Sequence, residues 1–168
     1  MNNSIKAVLF DVGGVLVRTV DHTGRQYWEE RLGLAHGGAE AIVLNSEMGH
    51  RAQRGEISTD ELWQWVGGYL NLGANLDQFR HDFWRGDCVD EELVELLIRI
   101  KPNYRTAVIS NATDALLHSL ESYKLLSYFD LIVGSAFEGI MKPNPSIYQR
   151  ALSRLQIHPQ EAIFSDDS

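Results

Sequence analysis

A single cysteine, Cys88, stands in 168 residues. No intrachain disulfide can form, and a reducing cytoplasm is the expected compartment. Basic residues are also scarce: 15 Lys and Arg against 23 Asp and Glu leave a formal net charge of −8. Such a field gives no electrostatic reason to bind nucleic acid or an anionic membrane. An anionic substrate would need a local cation or a metal to overcome it. Long apolar runs are missing. The first, Ala7 to Phe10, is broken at once by Asp11 and is too short for a signal-peptide core or a membrane span. There is no internal repeat and no low-complexity tract. The histidines (His22, His36, His50, His81, His118 and His158) show no ligand spacing, which with the lone cysteine disfavours zinc. What remains is ordinary globular composition, 44% hydrophobic and 23% charged, in a length that suits one domain with a small insert.

Four short apolar runs read as strands buried on both faces: Ala7-Val8-Leu9-Phe10, Thr106-Ala107-Val108-Ile109, Leu131-Ile132-Val133 and Ala162-Ile163-Phe164. Helical patterns separate the last three. Leu93, Leu96, Leu97 and Ile100 share one helix face, and Pro102-Asn103 ends that helix. Leu116, Leu117 and Leu120 mark the next. Ile147, Tyr148, Ala151 and Leu155 mark a third, with Pro145 suited to its first turn. This alternation predicts an α/β fold, a Rossmann-like, doubly wound parallel sheet.

From about Asp21 to Arg85 there is no strong strand candidate. Tyr27, Trp28, Leu32 and Leu34 predict a first short helix, and Ile42, Val43 and Met48 a second. Ser58-Thr59-Asp60-Glu61 is a capping box opening a helix with Leu62, Trp63, Val66 and Leu70. Leu76, Phe79, Phe83 and Trp84 are spaced for another. All four tryptophans lie in this stretch, which reads as a small helical insert packed around its own aromatic core. The expected division is residues 1–17 and 86–168 for the core and 18–85 for the insert.

Each apolar strand but one ends in polar residues able to do chemistry. Asp11 follows the first, Ser110 and Asn111 the second, and Asp166 and Asp167 the last. Lys142 sits in the loop before the final helix. Parallel strands deliver their carboxyl ends to one edge, where ligands of such sheets bind. Three carboxylates, an amine, a hydroxyl and an amide are therefore expected in one crevice. This is a hard-cation site with room for an anion, and its oxygen ligands favour Mg²⁺. Taken singly these residues are bland: an Asp after a strand is an ordinary turn former, and a surface lysine is common.

Phe10-Asp11-Val12-Gly13-Gly14-Val15-Leu16, Val108-Ile109-Ser110-Asn111, Lys142-Pro143 and Phe164-Ser165-Asp166-Asp167-Ser168 resemble, in order, the four motifs of the haloacid dehalogenase (HAD) superfamily. The insert resembles that superfamily's helical cap. The resemblance implies Asp11 as nucleophile, attacking a phosphoryl group to form an aspartyl-phosphate. It implies Mg²⁺ held by Asp11, the main-chain carbonyl of Gly13 and Asp167, with Asp166 behind them. Ser110 would donate to the phosphoryl oxygens, Asn111 would orient its loop, and Lys142 would neutralise the nucleophile and the transferring group. The implied activity is a Mg²⁺-dependent phosphatase acting on a small phosphorylated metabolite such as a sugar phosphate, with the cap closing over the crevice. Arg51 and Arg54, on the cap, are either contacts for an anionic substrate or solvated arginines.

Two departures from the family pattern stand out. Most phosphatases of the superfamily carry a second Asp two residues after the nucleophile, as general acid and base; here that position is Gly13, and losing such a group removes ~10²–10⁴ in rate. Asp21 and His22, just past the first motif, are the nearest substitutes. The family also continues past the tandem Asp with a helix and a fifth strand. Without them the last strand would be an open edge, for which a homodimer or oligomer is the expected outcome. Two alternatives to the phosphatase follow: a metal-free 2-haloacid dehalogenase-type hydrolase, whose halide leaves without a proton, and a degenerate, non-catalytic member.

Overall fold

The computed structural model describes residues 4–167. Ser168, the last residue of the fourth motif, lies outside the described residues. The chain enters as β1 (Ala7–Phe10) and turns through two glycines into a short β2 (Val17–Thr19). Five helices follow: α1 (Thr23–Leu32), α2 (Gly38–Val43), α3 (Glu47–Gln53), α4 (Thr59–Tyr69) and α5 (Leu76–Trp84). A short β3 (Asp87–Val89) leads to α6 (Glu91–Ile100), β4 (Arg105–Ser110) and α7 (Leu116–Ser122). The remainder is β5 (Leu131–Gly134), the single turn α8 (Ser135–Glu138), α9 (Pro145–Leu155) and β6 (Ala162–Ser165). No helix among the described residues is long and apolar enough to cross a membrane.

The main sheet has the order β5-β4-β1-β6, with every pair parallel. Successive side chains of a strand face opposite ways, so the sheet feeds two cores. Phe10 and Val108 pack with Leu16, Leu97, Leu116 and Leu120 on the α6–α7 face. Leu9, Ala107, Ile109 and Val133 pack with Ile147, Ala151 and Leu155 of α9 on the other. Burial on both faces explains why these strands read as unbroken apolar runs. The mixed α/β architecture with a parallel central sheet is the one expected. β6 lies at the edge of the described sheet.

The helical layer has a third core, built from Trp28, Val43, Leu62, Trp63, Val66, Phe79 and Phe83. Trp63 meets Phe79 and Phe83 edge-on, at ring centroid distances of 6.2 and 5.9 Å, the geometry that ring quadrupoles favour. The capping box forms as expected: Ser58 Oγ accepts from the amide of Glu61, and the Glu61 carboxylate accepts from the amide of Ser58.

Two features depart from the sequence reading. Ile42, Val43 and Met48 do not share one helix. The chain breaks after α2, and Ser46 caps α3 by accepting from the amide of Gly49 at 3.1 Å. Gly49 lets the turn close, since a Cβ there would lie 2.6 Å from the carbonyl oxygen of Val43. The second feature is the antiparallel ribbon β2–β3, pairing Val17 with Val89, Arg18 with Cys88 and Thr19 with Asp87. Strands of three residues with a charge in each are too short to show a period. This ribbon carries the chain into and out of the helical layer. The amide of Val20 donates to the Gly86 carbonyl at 2.9 Å, and the Thr19 hydroxyl donates to Asp87 at 2.7 Å.

Candidate active site

The parallel sheet delivers three polar strand ends to one edge. Asp11 follows β1, Asn111 follows β4, and Asp166 and Asp167 follow β6. The amide of Asp11 donates to the carbonyl of Ser165 at 2.9 Å, which binds the first motif to the last. The Asp11 side chain is buried and oriented at both oxygens. Oδ1 accepts from the amide of Val12 at 2.7 Å, and Oδ2 accepts from Lys142 Nζ at 2.5 Å. The same ammonium donates to Asp166 Oδ2 at 2.7 Å. Asp167 completes the group: one oxygen from each of Asp11, Asp166 and Asp167 lies within 4.8 Å of the other two. A crevice of about 390 Å³ opens here, lined by Asp11, Asn111, Lys142, Pro143, Tyr148, Asp166 and Asp167.

Glycine is needed at Gly14 for two separate reasons. Its φ of +77° lies in the left-handed region, and a Cβ there would come within 1.8 Å of Asp167 Oδ2. The turn after β1 is thus shaped around the last carboxylate. Gly13 is different. It lies two residues after Asp11, its φ is not left-handed, and a Cβ there would meet nothing within 4 Å.

Lys142 is held from several sides. The Asn111 side chain grips its backbone, accepting from the Lys142 amide at 2.7 Å and donating to its carbonyl at 3.1 Å. Its ammonium lies 5.3 Å from the centre of the Phe164 ring, against which Tyr148 packs edge-on at 5.6 Å. Burial pulls the Lys142 pKa down, but hydrogen bonds to Asp11 and Asp166 outweigh it and hold the group above the ordinary lysine value. The ammonium is therefore charged at neutral pH. Against it stand three carboxylates, an excess of negative charge at one point. Oxygen donors in excess of the local cation suit a divalent, hard metal ion, and the cleared space at Gly14 keeps Asp167 in the group.

Ser110, the last residue of β4, is 3% exposed and is not among the residues lining the crevice. Asp21 and His22 do not line it either. β2 carries the chain away before Asp21, whose carboxylate accepts from the amide of Thr23 at 2.9 Å. Hydrogen bonds from Thr23 hold its carboxyl below the ordinary aspartate value, so it is a poor proton donor. Arg51 and Arg54 are paired within the helical layer: Arg54 reaches Glu56 at 2.6 Å and Glu47 at 2.9 Å, and Arg51 reaches Glu56 at 3.3 Å. Tyr148 and Phe164 had been legible only as core residues. Tyr148 lies one position past the buried Ile147 on α9, and that step turns it towards the crevice.

A model of haloacid dehalogenase-like hydrolases matches residues 5–168. Acyl-CoA dehydrogenase family member 10 of Mus musculus is 32% identical over 98% of this chain, but the chain spans only 16% of that protein. Sesquiterpene phosphatase astK of Aspergillus oryzae is 28% identical, covering 99% of this chain and 83% of that protein. Among solved structures, a HAD family enzyme of Bacteroides thetaiotaomicron in complex with magnesium and inorganic phosphate superposes with a TM-score of 0.80. It is 20% identical, over 98% of this chain and 86% of that one. The fold, the ordered motifs and the family match agree: this chain belongs to the haloacid dehalogenase-like hydrolases.

Proposed function

We propose that this hydrolase is a Mg²⁺-dependent phosphatase acting on a small phosphorylated molecule. The observation that carries the reading is the meeting of three carboxylates and one ammonium at the carboxyl edge of the sheet. Asp11, the Gly13 carbonyl and Asp167 would hold the metal, with Asp166 tying them to Lys142. When bound, Mg²⁺ supplies the positive charge that lets a phosphate oxygen approach a carboxylate. In this reading Asp11 attacks phosphorus, the bond to the leaving oxygen breaks, and an aspartyl-phosphate forms. Lys142 offsets the charge shared by the carboxylate and the transferring group. Asn111 fixes the Lys142 backbone, and so the origin of that charge. Ser110 ends β4 just before Asn111 and is proposed to orient phosphoryl oxygens. The leaving oxygen takes its proton from solvent, since Gly13 has none to give. Water then attacks phosphorus, releasing inorganic phosphate and restoring Asp11.

The helical layer, residues 18–85, is proposed as the cap over this crevice, with the β2–β3 ribbon as its tether. The metal-free dehalogenase alternative would use Asp11 as nucleophile but has no metal for the three carboxylates to hold. The test is hydrolysis of p-nitrophenyl phosphate with Mg²⁺. We expect turnover that EDTA abolishes and Asp11→Asn removes. Activity that survives EDTA with release of halide would overturn the reading.

A further inference from the structure

α4 carries more capping than a helix needs. Its own box already occupies the amides of Ser58 and Glu61. Asp114, from the loop after β4, also accepts from the amide of Thr59 at 3.0 Å. The Thr59 hydroxyl donates to the same carboxylate and lies 2.7 Å from Thr113 Oγ1. These bonds join residues 54 and 55 positions apart, across the boundary between the helical layer and the sheet. A second touch point lies close by: Gly55, with φ of +70°, packs so tightly on α8 that a Cβ would stand 2.2 Å from the Ala136 carbonyl oxygen.

Both touch points bear on the segment that holds Lys142. Thr113 and Asp114 lie two and three positions after Asn111, whose side chain grips the Lys142 backbone. Ser135, next to Ala136, is fully buried, and its hydroxyl accepts from the Ala112 amide at 2.9 Å while donating to the Ala112 carbonyl at 3.1 Å. The segment 111–114 is therefore pinned by Lys142, by Ser135 and by Thr59. Only the last pin comes from the helical layer. Asp114 is exposed, so water can replace this bond when the layer moves.

We propose that Thr59 and Asp114 form a clasp that seats the helical layer on the segment 111–114 and so aligns Lys142 with Asp11; both are positioning residues. The inference rests on the phosphatase reading. The clasp makes the seated layer and the aligned ammonium one state, so loosening it costs turnover without removing any group from the crevice.

The decisive variants are Thr59→Val, which keeps the shape and loses the hydroxyl, and Thr59→Ser, which keeps the hydroxyl. With p-nitrophenyl phosphate and Mg²⁺, Thr59→Val should lower kcat/KM about tenfold. Thr59→Ser should stay within about twofold of wild type. Asp114→Asn should fall with the valine variant, and the double variant Thr59→Val/Asp114→Asn should be no worse than either single change. Hydrogen exchange, read without substrate, should show faster exchange of the 111–115 amides in Thr59→Val and wild-type protection in Thr59→Ser. Equal kcat/KM in all forms of an active protein, additive losses, or unchanged exchange would overturn the clasp. Should Thr59→Val fail to fold, the comparison of Asp114→Asn with wild type decides by the same two readouts. A wild type that turns over no phosphate ester sinks the phosphatase reading instead, and the exchange arm alone then judges the clasp.

Discussion

Charged groups are buried in both halves of this molecule, but their surroundings differ. In the helical layer, the buried guanidinium of Arg25 donates to Glu40 at 2.9 Å, to Asp87 at 3.2 Å and to the Phe83 carbonyl at 3.0 Å, and it stacks on the Phe83 ring. Burial pushes the Asp82 carboxyl upward, yet hydrogen bonds from Trp28, Gln78 and His81 hold it below the ordinary aspartate value. At the sheet edge three carboxylates face one ammonium. Burial alone therefore does not mark a site of chemistry; carboxylates gathered beside an open crevice do. Enclosed charges hold a fold in one geometry, and charges clustered at a crevice can meet a ligand.

Substitutions can break this contrast from either side. The largest expected effect on folding is Arg25→Met. It leaves Asp87 without its guanidinium partner in a buried setting, so stability should fall by about 3 kcal/mol in urea unfolding. Activity per folded molecule should be unchanged, because Arg25 touches nothing in the crevice. Gly14→Ala should do the reverse. The left-handed φ costs only about 1–2 kcal/mol, but the new methyl displaces Asp167, so Mg²⁺ affinity measured by calorimetry should drop at least tenfold. Gly13→Asp enters open space and supplies a carboxyl two residues after Asp11. It should raise turnover of esters with poor leaving groups, by up to about 10²-fold, where a proton donor matters most.

How much of this was legible beforehand follows from local physics. β1, β4, β5 and β6 were readable because burial on both faces leaves unbroken apolar runs. The convergence of Asp11, Asn111, Lys142, Asp166 and Asp167 followed from the rule that parallel strands share a carboxyl edge. The β2–β3 ribbon was not readable, and its absence from the reading misplaced Asp21: nearness in sequence to Asp11 says nothing of direction once a strand intervenes. The break between α2 and α3 was hidden because the apolar spacing of Ile42, Val43 and Met48 outweighed the local signals for it, the cap at Ser46 and the close turn at Gly49. Tyr148 and Phe164 read as core because an aromatic ring shows its neighbours only in space.

Smaller effects sharpen the contrast. Asp82 and Asp130 are held below their ordinary value of 3.8, and Glu138 below 4.5, the last chiefly by Arg154. Folded values below unfolded ones mean that this stabilisation is full above the ordinary values. It is lost as pH falls through the folded ones. Urea midpoints should stay flat from about pH 7 to about pH 5 and fall below about pH 4. The smallest effect is expected at Arg54→Ala, which removes exposed ion pairs to Glu47 and Glu56. The urea midpoint should barely move, with KM unaltered.

The most direct test of the carboxylate–ammonium group as a phosphoryl-transfer site is beryllofluoride, a mimic of the phosphoryl group, followed by ¹⁹F NMR with Mg²⁺. A bound fluoride signal in the wild type that disappears in Asp11→Asn and on adding EDTA is the predicted result. A wild type that forms no adduct, and binds no Mg²⁺ by calorimetry, would contradict the account.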